Sequence, residues 1–216
     1  MLKGILFDND GTLVDTHDII LASMRHSTQA VLGKVIPDDV LMRKVGQPLV
    51  VQMRDFTPDE EKQAEILRVY RAHNEATHDE KIRAFPGVEE ALSQLAGHGF
   101  ELGVVTSKRR ALAWRGLEVV GLAPYLSCCI GAEDCIRFKP EAEPVERGAA
   151  ALGLDPSECI YVGDAPFDLQ AGKAAGTLTA AALWGMFPRE RLACEAPDIE
   201  CATILDLVDA CLRLRG

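Results

Sequence analysis

Short apolar runs alternate with longer amphipathic stretches along most of this chain. The runs lie at residues 4–7, 101–106, 127–130, 159–162 and 178–183, and each pair is separated by at least a helix length. Any single run would also suit a turn of buried helix, but five in alternation favour strands joined by crossover helices. The pattern therefore predicts an α/β fold with a Rossmann-like parallel sheet.

The long stretch between the first two predicted strands has a different pattern. It shows helical periodicity and no convincing strand. Four helices are indicated by a stripe at Ile20, Met24 and Val31, a cap at Asp38, a start at Pro48, and the cap sequence Thr57-Pro58-Asp59-Glu60. We therefore predict an α/β core of residues 1–15 and 83–216, and an all-helical cap of residues 16–82 inserted into it.

Further helices are predicted after each of the later strands. They cover residues 111–120, 143–152, 167–175 and 203–214, and a helix through Leu92 and Leu95 precedes the second strand. These helices complete the alternation expected of a parallel sheet.

Composition narrows the possible partners. The chain has 23 Lys and Arg against 33 Asp and Glu, and this net charge of −10 argues against a nucleic-acid surface or a polybasic membrane anchor. Seven cysteines without a Cys-x-x-Cys spacing favour a reducing compartment over a disulfide framework or a zinc ribbon. No signal sequence or membrane span is indicated. We expect a soluble cytoplasmic protein, monomer or homodimer, that binds a small molecule.

The most informative chemistry follows the first predicted strand, where Asp8 and Asp10 flank Asn9. Alternate side chains of an extended chain point the same way, so both carboxylates can converge where open α/β sheets bind ligands. Two close carboxylates favour a hard divalent cation such as Mg²⁺, with one oxygen free to attack an electrophile. Taken alone, the segment also suits a tight turn.

Three more polar groups follow later predicted strands. Thr106 and Ser107 offer hydroxyls, Lys139 stands before Pro140, and Asp164 and Asp168 follow Gly163. Separately, these residues also suit helix caps or a surface lysine. Together, they place hydroxyl, basic and acidic groups at successive strand ends.

The four segments together resemble the haloacid dehalogenase (HAD) superfamily. Its motifs are matched by Asp8-x-Asp10-Gly11-Thr12, Thr106-Ser107, Lys139-Pro140 and Gly163-Asp164-x-x-x-Asp168, and the resemblance spans essentially the whole chain. The inserted helices resemble the C1 cap of that superfamily. The resemblance implies a Mg²⁺-dependent phosphatase of a small phosphorylated metabolite, similar to phosphoglycolate phosphatases and related pyrophosphatases.

The resemblance also implies residue roles. Asp8 would form an aspartyl-phosphate, and Asp10 would protonate the leaving oxygen and then activate water. Asp8, Asp164 and Asp10, the last through its backbone carbonyl, would bind Mg²⁺. Thr106, Ser107 and Lys139 would hold the phosphoryl group, and Asp168 would support Lys139 or a metal-bound water.

Substrate choice stays open at this point. A phosphoglycolate-like phosphomonoester is the leading hypothesis, with a pyrophosphatase, a sugar-phosphate mutase or a non-catalytic binding protein as alternatives. Departures from the family pattern at Asn9, Phe138 and Ala142 affect substrate more than chemistry. We expect the cap to read the substrate, through Gln47 in a turn and through Arg43 and Arg54.

Overall fold

A parallel sheet of six strands forms the centre of the computed structural model, which describes residues 1–215. The strands of the sheet are β1 (Gly4–Phe7), β4 (Glu101–Val105), β5 (Cys128–Ile130), β6 (Cys159–Gly163), β7 (Leu178–Ala182) and β8 (Ile199–Cys201). Their order across the sheet is β5-β4-β1-β6-β7-β8, and every pair is parallel. Because β1 pairs with both β4 and β6, the residue that follows it emerges at the middle of the carboxyl edge.

Helices cover both faces of this sheet. They are α5 (Val88–Gly97), α6 (Arg110–Val119), α7 (Glu143–Ala151), α8 (Pro166–Ala175), α9 (Arg189–Ala193) and α10 (Ile204–Arg215). Alternation along β1 places Ile5 and Phe7 in the core with α5, α6 and α10, and Leu6 in the core with α7 and α8. This two-sided burial explains why the strands read as continuous apolar runs.

Residues 16–82, the helical insert, contain no strand and form a smaller apolar core of their own. Its helices are α1 (His17–Leu32), α2 (Asp38–Leu41), α3 (Leu49–Gln52) and α4 (Glu60–Lys81). Two short antiparallel strands, β2 (Val14–Asp15) and β3 (Arg83–Ala84), pair where the chain enters and leaves the insert. Met186 and Phe187 from the loop after β7 pack against the apolar core of the insert.

The α/β fold and the five strands predicted from the apolar runs are confirmed, and each strand end agrees with the prediction to within one residue. The pattern did not predict β8, the short pair β2 and β3, or the five-residue helix α9. These elements are too short to show a period.

Two predicted helix caps in the insert are wrong. Asp59, rather than Thr57, caps α4, and its carboxylate accepts from the backbone N–H groups of Glu61 and Lys62. Asp38 begins α2 without capping it, because its side chain pairs with Arg25. Among residues 1–215, no helix combines the length and the apolar character needed to cross a membrane.

Candidate active site

A buried lysine lies between two aspartates at the carboxyl edge of the sheet. The Lys139 ammonium donates to Asp8 Oδ1 at 2.7 Å and to Asp168 Oδ1 at 2.6 Å, and it lies 5.5 Å from the centre of the Tyr161 ring. Asp168 is further fixed by the backbone N–H of Ala165 at 3.0 Å. The three residues meet because Asp8 follows β1, Lys139 lies in the segment after β5, and Asp168 lies in the first turn of α8. All three of these places are at the carboxyl edge of the sheet.

Asp164 completes an acidic cluster beside this lysine. One carboxylate oxygen from each of Asp8, Asp164 and Asp168 lies within 4.8 Å of the others. Thr12 Oγ1 donates to Asp164 Oδ1 at 3.2 Å, and the backbone N–H of Met186 donates to Asp164 Oδ2 at 2.7 Å. Three buried carboxylates with one ammonium leave an excess of negative charge, and their oxygens are the donors that a hard divalent cation prefers. The donor set therefore fits Mg²⁺.

Burial and charge shift the titration of this cluster in consistent directions. Burial raises the pKa of Asp8 to about 7, although Lys139 opposes the rise. Burial, with repulsion from Asp168 and Asp8, also raises the pKa of Asp164. Burial alone would lower the pKa of Lys139, but Asp168 and Asp8 outweigh it, so that pKa lies well above its ordinary value. Lys139 is therefore charged, and the carboxylates repel one another without a further cation.

The Asp10 carboxylate lies outside that acidic cluster. Its Oδ1 accepts from Thr16 Oγ1 at 2.8 Å and from the Lys108 ammonium at 2.9 Å. Burial would raise the pKa of Asp10, but the charge and hydrogen bond of Lys108 and the bond from Thr16 outweigh it and lower the pKa. Asp10 is thus held ionised beside Asp8, in the form that accepts a proton.

The hydroxyl pair after β4 reaches the same edge. Thr106 is buried, and its Oγ1 accepts from the backbone N–H of Lys108 at 3.1 Å. Ser107 Oγ donates to the backbone carbonyl of Gly46 at 2.6 Å, which ties the sheet edge to the insert. Gly46 has φ +98°, and a Cβ there would lie 2.9 Å from Ala165 Cβ. This close approach requires glycine.

A cavity of about 300 Å³ separates the sheet edge from the helical insert. Asp8, Asp10, Thr106 and Ser107 line it on the sheet side, and Gln47 lines it on the insert side, so the structure brings these predicted residues together. Lys139, Asp164 and Asp168 lie buried behind Asp8.

The two arginines predicted to read the substrate lie elsewhere. Arg43, in the turn after α2, and Arg54, in the single helical turn after α3, are exposed to solvent and do not line the cavity. Arg71 of α4 and Arg109 before α6 line it instead. Tyr70 and Asn74, which the sequence did not indicate as site residues, line the insert side. The four-residue spacing of Tyr70 and Asn74 on one helix face was the available signal.

The chain is similar to a known protein family, to individual proteins and to solved structures. The family model described as haloacid dehalogenase-like hydrolase matches residues 5–182. The pyrophosphatase PpaX of Bacillus velezensis is 37% identical over 208 residues, covering 96% of this chain and 95% of that protein. The pyrophosphatase PpaX of Listeria innocua is 35% identical over 210 residues, covering 94% of each chain.

Solved structures share the architecture at lower identity. A crystal structure described as a predicted phosphatase from Clostridium acetobutylicum matches with a TM-score of 0.89 at 24% identity, covering 99% of each chain. One described as a predicted phosphoglycolate phosphatase from Haemophilus somnus 129pt matches with a TM-score of 0.88 at 23% identity, covering 97% of each chain. At this identity, the two likenesses show the fold alone.

Proposed function

The chain belongs to the haloacid dehalogenase-like hydrolase family as a phosphatase, and from this premise we propose that it transfers a phosphoryl group first to Asp8 and then to water. The observation that carries this proposal is the setting of Asp8. Its Oδ1 is held by Lys139, whereas no residue of 1–215 donates a hydrogen bond to its Oδ2, and Asp8 faces the cavity. An oriented carboxylate with one free oxygen is what a nucleophile requires.

The surrounding groups supply charge and a proton carrier. Mg²⁺ bound by Asp8, Asp164 and the Asp10 backbone carbonyl would offset the negative charge of the transferred group. Lys139 orients Asp8 and adds a fixed positive charge, and Asp168 supports Lys139. Thr106 and the Ser107 backbone hold the phosphoryl oxygens beside Asp8.

Asp10 is proposed as the group that protonates the leaving oxygen and then activates water. Lys108 keeps the pKa of Asp10 low when the cavity holds no substrate. A phosphoryl oxygen that drew Lys108 away would raise that pKa, so Asp10 could carry the proton only after the substrate has arrived.

We propose inorganic pyrophosphate as the substrate. The relatives that share 37% and 35% identity over nearly their whole length are named pyrophosphatases. The cavity carries Lys108, Arg71 and Arg109, which suit a substrate that is anionic at both ends. The same cations suit the carboxylate of 2-phosphoglycolate, which is therefore the second candidate. The insert, residues 16–82, is proposed as the cap that closes this cavity.

We also propose that the protein acts in the reducing cytoplasm. Each of the seven cysteines is a free thiol, and Cys129, Cys159, Cys201 and Cys211 are buried, where they pack as small apolar groups. Whether the protein is a monomer or a homodimer stays a prediction.

The test is a phosphate-release assay on inorganic pyrophosphate, 2-phosphoglycolate, glucose 6-phosphate and p-nitrophenyl phosphate, with Mg²⁺ and with excess chelator. The Asp8→Asn variant, prepared identically, controls for contaminating phosphatase. We expect pyrophosphate to be hydrolysed fastest, and activity to disappear with chelator and return with added Mg²⁺. Full activity in chelator would contradict the cofactor, and no hydrolysis of any substrate would contradict the phosphatase. Faster hydrolysis of 2-phosphoglycolate would reverse the order of the candidates.

A further inference from the structure

Three cations line the cavity in the described chain, and two of them already have carboxylate partners. Lys108 pairs with Asp10 at 2.9 Å, and Arg109 pairs with Glu75 of α4. Arg71 forms no ion pair within 4.0 Å with any carboxylate of residues 1–215. Among the three cations of this cavity wall, Arg71 is therefore the one that no carboxylate of residues 1–215 balances at contact distance.

Arg71 lies where an anion that enters the cavity can reach its unpaired guanidinium. Arg71 lies on α4, one turn before Glu75, and is only half-exposed beside the cavity. Glu75 is the nearest candidate partner by helical spacing, but it is engaged by Arg109 from the sheet side. A guanidinium stays charged in proteins, so it favours an anion arriving in the cavity.

The shift in the pKa of Arg71 is consistent with a cation that has no carboxylate partner. Burial lowers the pKa of Arg71, and the charge of Arg109 lowers it further, against a smaller opposite effect from Glu75. Both effects disfavour an unpaired cation at this place, and both are relieved when an anion binds. In a protein with net charge −10, a cation on a cavity wall without a carboxylate partner marks a place where an anion can bind.

The cavity extends from Asp8 and Thr106 at the sheet edge to Arg71 on the insert. Its volume of about 300 Å³ suits a small metabolite. We infer that Arg71 is a specificity-determining residue that binds the second anionic group of the substrate, a phosphoryl or a carboxylate, while the transferred phosphoryl group lies at Asp8. This inference rests on the proposed function and names the substrate class of the same site.

The matched variants are Arg71→Ala, Arg71→Lys and Arg68→Ala. Arg68 lies three residues earlier on α4 and pairs with Glu65 in solvent, so its loss removes the same charge from the same helix away from the cavity. kcat/KM is measured with inorganic pyrophosphate, with 2-phosphoglycolate and with p-nitrophenyl phosphate, whose tail is uncharged. The first two substrates distinguish a distal phosphoryl from a distal carboxylate.

We expect Arg71→Ala to lower kcat/KM by about tenfold to a hundredfold for whichever of pyrophosphate and 2-phosphoglycolate the protein prefers. This is the range for losing a hydrogen bond to a charged group. Hydrolysis of p-nitrophenyl phosphate should stay within about twofold, and Arg68→Ala should change neither. Arg71→Lys should recover part of the loss because it keeps the charge without the planar fork. Equal losses on all three substrates would overturn the inference. So would no loss on either pyrophosphate or 2-phosphoglycolate, the two substrates with a second anionic group.

A binding measurement separates this inference from the proposed reaction. The Kd of inorganic pyrophosphate is measured by calorimetry in the Asp8→Asn background, with Mg²⁺, and with and without Arg71→Ala. A rise of about tenfold or more supports the inference even if the wild-type protein does not turn pyrophosphate over, which would contradict only the proposed function. An unchanged Kd overturns the inference even if the wild-type protein is an active pyrophosphatase.

Discussion

Replacing Lys139 with methionine tests whether one buried ammonium holds the acidic cluster together. The side chain is 1% exposed, and its charge faces Asp8 at 2.7 Å and Asp168 at 2.6 Å. Methionine keeps most of the apolar stem but leaves both carboxylates without their partner. Breaking a buried pair in this way costs about 3–5 kcal/mol, a large share of the roughly 5–15 kcal/mol by which a domain is stable.

The control applies the same substitution to an exposed pair. Lys3 lies 2.5 Å from Glu158, with 53% of the lysine side chain exposed, so Lys3→Met should cost about 1 kcal/mol or less. Urea unfolding of both variants is followed by circular dichroism in metal-free buffer. A double-mutant cycle with Asp168→Asn isolates the pair, because the asparagine no longer requires a counter-charge.

The expected result is a loss of about 3–5 kcal/mol for Lys139→Met, of which Asp168→Asn recovers about 1 kcal/mol or more in the double variant. Phosphate release should fall by at least about a hundredfold, because Asp8 loses its orientation and the site loses a fixed positive charge. Strict additivity in the cycle, or a loss no greater than that of Lys3→Met, would refute the reasoning.

Three further variants test other parts of the site. Asp8→Asn should keep the fold but lose turnover, because the amide keeps the shape without the attacking anion; undiminished kcat would refute the covalent step. His78 is fully buried with no partner for Nε2, and burial followed by the charge of Lys108 lowers its pKa, so the unfolded chain binds a proton more readily than the folded one. The free energy of unfolding should therefore fall as pH drops below about 6.5, and His78→Gln should flatten that slope; an unchanged slope would contradict the assignment. Gly46→Ala should raise KM and cost more stability than Gly33→Ala, because both have positive φ but only the first Cβ would meet a neighbour, at 2.9 Å; equal losses would show that contact with Ala165 does not matter.

Much of the candidate site could be predicted because its residues directly follow strand ends. Asp8, Thr106 and Asp164 each follow a strand within one residue, and parallel strands bring their carboxyl ends to one edge. Once the strands are predicted, the positions of the side chains that follow them are therefore predicted too. Lys139 follows β5 at a greater distance, so its position taken alone also suited a surface lysine, and the family pattern strengthened the assignment.

Contacts between the sheet and the insert could not be predicted in the same way. Ser107 bonds Gly46 across 61 positions, and Met186 holds Asp164 through its backbone N–H while its side chain packs against the apolar core of the insert. A backbone donor carries no sequence signal, since every residue but proline has one. The pattern indicates the insert and the turn at Gln47, but it does not indicate that Tyr70, Arg71 and Asn74 meet the site.

Four arginines could not be distinguished from one another by the sequence. Arg43, Arg54, Arg71 and Arg109 are equivalent as letters, and each suits a solvated helix face as well as a binding site. What distinguishes Arg71 is that its spaced partner Glu75 is taken by Arg109, which lies 34 positions away from that glutamate. Charge balance at a cavity is thus a property of three residues brought together by the docking of α4 against α6. The sequence supplies the cations, and only the tertiary structure shows which of them is left to bind an anion.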